Sequence, residues 1–91
     1  MTEAEIAQAS AALVNWELEG RAITREVSFP TFAAAVRFVN KVADLAEAAD
    51  HHPDIDIRYR KVRLTLTTHD AGGLTIKDFS LARQIDEAAM G

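Results

Sequence analysis

The sequence predicts an α+β fold, a single layer four-stranded antiparallel sheet with three helices packed on one face, in the order αββαββα. Three observations carry that expectation. Residues 54–67 alternate apolar and polar side chains, as half-buried strands do. Residues 32–49 instead repeat their apolar side chains with the period of a helix. Between the periodic stretches stand the short turn signals Gly20-Arg21, Pro30-Thr31 and Gly72-Gly73, and nothing resembling an interdomain linker, a repeat or a low-complexity segment.

Taken in order, Thr2 to Val14 is alanine-rich and carries Glu3 and Glu5 near its start, where a helix dipole favours acids. Thr2 is the expected N-cap. Trp16 to Glu19 and Ala22 to Phe29 read as a hairpin around Gly20 and Arg21, with β-branched Ile23, Thr24 and Val27 in its second strand. Phe32 to Ala49 reads as a long helix. Its apolar face comprises Phe32, Ala35, Val36, Phe38, Val39, Val42, Ala43, Leu45, Ala46 and Ala49, while Arg37, Asn40, Lys41, Asp44 and Glu47 fill the remainder. That arc is wider than packing on a sheet requires; helices of the same domain or a subunit interface would each account for it.

From Asp54 onward Ile55, Ile57 and Tyr59 alternate with charged residues, and Val62, Leu64 and Leu66 alternate with Arg63, Thr65 and Thr67. Matching the apolar faces pairs Tyr59 with Val62, Ile57 with Leu64 and Ile55 with Leu66, around a turn at Arg60 and Lys61. Burial of Ile55, Ile57, Leu64 and Leu66 is the corresponding expectation. Thr75 to Asp78 has the spacing of a capping box, and Leu81, Ala82, Ile85, Ala88 and Ala89 form one face of a last helix.

Composition narrows the function. Hydrophobic residues at 48% and charged residues at 26% over 91 residues describe one globular domain, residues 1–91, small enough to gain stability by oligomerising. A formal net charge of -4 argues against nucleic acid or anionic membrane as a partner. With no cysteine there are no disulfides, thiol nucleophiles or thiolate metal sites. The first residues lack the basic and apolar regions of a signal peptide, and no stretch approaches the roughly 20 apolar residues of a membrane span, so a cytoplasmic location is expected.

All three histidines flank the second pair of strands. The register above sets His52 opposite His69 on the polar face, while His51 has the other parity and leaves the end of the long helix. Pro53 biases His52 towards an extended backbone. Three imidazoles would then line one cleft beside Glu47, Asp50 and Asp70. Imidazole suits proton transfer because its unperturbed pKa, about 6.5, makes both forms accessible near neutrality. A His-His-Pro turn and a strand-end histidine also fit plain surface polar residues. A metal site is disfavoured, since no two histidines stand one helical turn apart.

Asp78 fits a helix cap as well as an acid. Trp16 and Tyr59 fit core or interface aromatics, and Arg58, Arg60, Lys61 and Arg63 a solvated rim. Gly72-Gly73 marks a turn, with no phosphate-loop motif around it.

These residues resemble the pterin-4a-carbinolamine dehydratase family. Glu47, three residues, His51-His52-Pro53, then Tyr59, then Thr68-His69-Asp70 ahead of Gly73-Leu74-Thr75 and Asp78 are similar to that family's signature in order and spacing. The likeness runs from Trp16 through Phe29 and Phe32 to the last helix, Leu81 to Ile85. The resemblance implies dehydration of 4a-hydroxytetrahydropterin to quinonoid dihydropterin, which recycles the cofactor of aromatic amino acid hydroxylases. It implies no metal and no organic cofactor. It assigns His51, His52 and His69 to catalysis and Glu47, Pro53, Thr68, Asp70, Ala71 and Asp78 to the substrate site, with Glu47 and Asp78 orienting or tuning the imidazoles. It also implies a homodimer or homotetramer. Because animal relatives double as dimerisation partners of a homeodomain transcription factor, a non-catalytic binding module of the same fold is the alternative.

Overall fold

A computed structural model describes residues 1–90. Thr2 opens helix α1 (Glu3–Ala12) with a complete capping box, in which the Glu5 N–H donates to Thr2 Oγ1 at 3.1 Å and the Thr2 N–H donates to Glu5 Oε1 at 2.8 Å. These bonds, the Thr2 backbone N–H foremost, hold the Glu5 carboxyl below its usual range. The box therefore supports α1 at neutral pH and is lost as acid protonates Glu5. The helix ends at Ala12, short of Val14, because Leu13 turns inward and is buried together with Trp16.

Strands β1 (Glu17–Glu19) and β2 (Ala22–Ser28) form the expected hairpin, with Gly20 at a φ of 60°, a left-handed conformation that glycine adopts without strain. Helix α2 (Phe32–Ala49) has the expected bounds. Thr31 accepts the Ala34 N–H at 3.0 Å at its start; at its end Asp50 turns left-handed and the His51 N–H reaches back to the Ala46 carbonyl at 3.1 Å. Strands β3 (Asp54–Arg58) and β4 (Lys61–Leu66), a single 3₁₀ turn at His69–Ala71 and helix α3 (Ile76–Met90) complete the chain.

The four strands form one antiparallel sheet in the order β1-β2-β4-β3, so the α+β architecture is the expected one. Ile23 of β2 and Val62, Leu64 and Leu66 of β4 pack with Phe38 and Val42 of α2 and Phe79, Leu81 and Ile85 of α3. The core thus lies over the two inner strands. No helix among the described residues is long and apolar enough to cross a membrane.

Two expectations need correction. Ile57 pairs with Val62, Ile55 with Leu64 and Arg58 with Lys61, a register two residues away from the expected one. The turn falls on Tyr59 and Arg60, with Tyr59 at a φ of 55° and its side chain largely in solvent. A shift of two leaves every side chain on the same face, so apolar alternation alone does not distinguish the two registers. Second, Leu64 and Leu66 are buried but Ile55 and Ile57 are 37% and 39% exposed. Alternation reports which face a residue occupies and not how far it lies from the sheet's centre, and β3 is an edge strand.

α2 buries Ala35, Phe38, Val42 and Ala46, leaves Val36, Val39 and Leu45 half-buried, and exposes Phe32 and Ala43. Leu64→Ala should cost about 2 to 5 kcal/mol, as expected for a leucine removed from a filled core, whereas Ile76→Ala, at an exposed position, should stay within about 0.5 kcal/mol. Urea unfolding of both variants checks this; similar losses would contradict the placement of the core.

Candidate active site

The site forms where three chain segments meet at one end of the sheet. After β4 the chain closes a small loop, with the Thr68 N–H donating to the Gly73 carbonyl at 3.1 Å and the Gly73 N–H returning to the Thr68 carbonyl at 3.2 Å. Gly72, at a φ of 71°, makes the reversal possible. Arg21 braces this loop from the β1–β2 hairpin: its Nη1 donates to the Gly72 carbonyl at 3.3 Å, and its own carbonyl accepts the Thr67 hydroxyl at 2.6 Å. His69, Asp70 and Ala71 form the exposed tip.

Asp78, in the first turn of α3, lies behind that loop and is 0% exposed. Its Oδ1 sits 2.6 Å from His51 Nε2, while Oδ2 accepts the Thr68 hydroxyl at 2.8 Å and the Thr75 N–H at 2.9 Å. A buried carboxylate is tolerated only where donors replace its water, and here donors come from the end of α2, the end of β4 and the start of α3. His51 is itself only 11% exposed at its side chain. Its neighbour His52 is in the opposite situation. The His52 Nε2 lies 3.2 Å from Glu47 Oε1 in an exposed pair, and such pairs contribute roughly 0 to 1 kcal/mol.

The expected pairing of His52 with His69 does not form. Asp54 faces Thr65, so the position across from His52 is Thr67, and His69 lies beyond the strand in the 3₁₀ turn. The structure joins His51 with Asp78 and Thr68, and His52 with Glu47, while none of the described residues hydrogen-bonds the His69 ring. Pro53 is half-buried between His52 and β3. His51 borders a cavity of about 270 Å³ with Ile76, Lys77 and Ser80; a cavity of about 590 Å³ on the far side of the loop, beside Leu18 and Arg21, reaches Ala71 and Thr75 but no histidine. Among the described residues, no three acidic or histidine side chains converge as a metal site would require.

Sequence reasoning missed Thr75 as part of this cluster. Its hydroxyl lies 2.9 Å from that of Thr68. The capping-box spacing was a signal for its bond to Asp78 but not for its bond to Thr68, which depends on where β4 ends.

A histidine held by a buried carboxylate at one end of a single antiparallel sheet is an arrangement able to move a proton. The chain belongs to the pterin 4 alpha carbinolamine dehydratase family, whose model matches residues 1–88. A protein of Chloroflexus aurantiacus with the provisional name pterin-4-alpha-carbinolamine dehydratase is 61% identical over 87 residues, which is 96% of this chain and 94% of the relative. A Nocardia farcinica protein with the same provisional name is 52% identical over 89 residues, 98% of this chain and 94% of the relative. Among solved structures, a Brucella melitensis protein described as a transcriptional coactivator/pterin dehydratase superposes with a TM-score of 0.92 at 40% identity, covering 98% of this chain and 97% of the other. A pterin dehydratase-like protein described as a RuBisCO assembly factor in the alpha-carboxysome shares the fold, with a TM-score of 0.67 at 21% identity over 81% of this chain and 86% of the other.

Asp78→Ala would leave the His51 ring, the Thr68 hydroxyl and the Thr75 N–H without their acceptor, and should destabilise the protein by about 2 to 4 kcal/mol. Asp78→Asn, which keeps one acceptor oxygen, should lose less. A thermal or urea series over the two variants checks the order.

Proposed function

We propose that the protein is a dehydratase acting on 4a-hydroxytetrahydropterin, with residues 1–91 working as one domain. The family supports a pterin dehydratase, and the observation in this chain that carries the reading is the His51–Asp78 pair, an imidazole held by a buried carboxylate. In the reaction the C4a–O bond breaks and the hydroxyl leaves as water after accepting a proton. N5 gives up its proton, and its electron pair forms the N5–C4a double bond of the quinonoid dihydropterin. One acid and one base are therefore needed within reach of a single ring. His51, His52 and His69 supply these groups and bind the pterin, while Glu47 and Asp78 orient His52 and His51. Pro53, Thr68, Asp70 and Ala71 shape the site around them. The chemistry is complete without a metal or organic cofactor.

A second reading keeps the fold and discards the turnover: a homo-oligomeric binding module or transcriptional dimerisation partner. The Brucella melitensis relative's description as a coactivator as well as a dehydratase favours keeping it in view. Turnover decides between them.

On either reading we propose a cytoplasmic homodimer or homotetramer with no nucleic-acid or membrane partner. The uncovered part of the α2 arc and the edge strand β3, with Ile55 and Ile57 part-exposed on its helix side, support self-association, and the net charge of -4 speaks against nucleic acid. Light scattering at micromolar concentration should give at least twice the 10.0 kDa chain mass. A monomer would count against it.

Purified protein should accelerate loss of the carbinolamine absorbance even after exhaustive chelation. His51→Ala and His52→Ala should each lower turnover by more than roughly tenfold, acid-base groups being typically worth about 10² to 10⁴ in rate, with circular dichroism unchanged. His69→Ala should weaken binding as well as rate, and the His51/His52 double variant should lose less than the product of the single losses. Full activity in all three single variants would leave the binding module as the better reading.

A further inference from the structure

The two helices that begin with a threonine and an acid three residues later are capped differently. In α1 the Thr2 hydroxyl accepts the Glu5 N–H, closing the box. At α3 only half of the box forms: Asp78 Oδ2 accepts the Thr75 N–H, but the Asp78 N–H donates to the Thr75 carbonyl at 3.1 Å. The Thr75 hydroxyl is turned away, towards Thr68 Oγ1 at 2.9 Å, and keeps only a 3.3 Å bond from the Lys77 N–H. The Thr75 side chain thus caps α3 through a single long bond at the second helical residue and directs its own proton at Thr68.

The direction of every proton in this cluster follows from the donors available. The Thr68 hydroxyl has one proton, and it is directed at Asp78 Oδ2 at 2.8 Å. With that proton committed to Asp78, the one between the two threonines belongs to Thr75, whose oxygen accepts from Lys77. The chain therefore runs one way, from Thr75 O–H to Thr68 O–H to the Asp78 carboxylate. Oδ2 is filled by two donors, and Oδ1 is left for the His51 ring. A carboxylate only accepts, so His51 meets it with Nε2–H, and in the neutral ring the lone pair is on Nδ1.

We infer that Thr75 is a positioning residue: its hydroxyl orients Thr68, which fills Asp78 Oδ2 and leaves Oδ1 to hold His51 through Nε2–H, with Nδ1 as the proton-accepting nitrogen of the site. The Nε2–H contact stands on the geometry, whereas the use of Nδ1 in removing the N5 proton rests on the dehydratase reading. Thr68 and His51 both donate to Asp78, so Thr75 acts by position: without its proton the Thr68 hydroxyl is free to turn away from Oδ2, and the carboxylate that holds the His51 ring loses its fixed orientation.

Thr75→Val removes the hydroxyl and keeps the shape, and Thr75→Ser restores the hydroxyl. With the ring neutral, long-range proton–nitrogen spectra should show His51 as the Nε2–H tautomer in all three proteins, with the same ring nitrogen shifts in the parent and Thr75→Ser and displaced shifts in Thr75→Val. Turnover in Thr75→Val should fall about fivefold in kcat, the size of one hydrogen bond, with KM unchanged, and Thr75→Ser should recover it. A folded Thr75→Val with an unaltered His51 spectrum would overturn the inference, as would an Nδ1–H tautomer in the parent protein. If the parent protein turns over no carbinolamine, the dehydratase reading fails while the spectra still decide the tautomer.

Discussion

Burying one carboxylate constrains most of what surrounds it. An ionised group removed from water costs several kcal/mol unless hydrogen-bond donors replace the solvent. Asp78 is 0% exposed and takes its donors from His51, Thr68 and Thr75. These residues lie at the end of α2, past the end of β4 and at the start of α3, so satisfying Asp78 requires all three ends to converge. That convergence also sets the first turn of α3 against the sheet, with Phe79, Leu81 and Ile85 following into the core. Packing and site geometry are thus fixed by the same contacts, and a change at Asp78 disturbs both.

A second aspartate does related work nearer the other end of α3. Asp86 accepts the Trp16 indole N–H at 2.7 Å and pairs with Arg25 of β2. Arg25 stands across from Leu64, so its side chain leaves the sheet on the core side and would bury a charge without this partner. Trp16, itself buried, finds its polar handle satisfied at the same atom. α3 is therefore anchored by one dry carboxylate beside the histidines and by one partly solvated carboxylate against the first hairpin. Substitutions at Asp86 belong with helix docking, those at Asp78 with docking and the site together.

The sequence made the elements legible because each carries its own local signal. Thr31 and Asp50 bound α2 where the pattern placed its ends, Gly20 marks the first hairpin, and Thr2 with Glu5 spells out the α1 cap. It was less informative about lateral position and about turns made by unusual residues. Tyr59 in a left-handed conformation carries no turn signal comparable to glycine, and the resulting shift of two residues left the faces right and the cross-strand partners wrong. The same shift is what separates His52 from His69 in the ladder. Asp78 shows a different limit. Its spacing from Thr75 named it a cap, and its bond to His51 arises only when α2 and α3 lie side by side.

The adjacent histidines illustrate how one peptide bond can divide two environments. The left-handed turn at Asp50 ends α2 and sends His51 inward to Asp78, while Pro53 holds the next residue near an extended backbone. In an extended chain successive side chains point to opposite sides, so His52 emerges beside exposed Glu47. His51 consequently has a fixed partner and little contact with water; His52 has a weak partner and ready exchange with solvent. Acid-base chemistry on one small ring can use a fixed, sheltered group beside a solvent-exchanging one. On the dehydratase reading, the helix terminator and the proline are as much a part of the site as the histidines they separate.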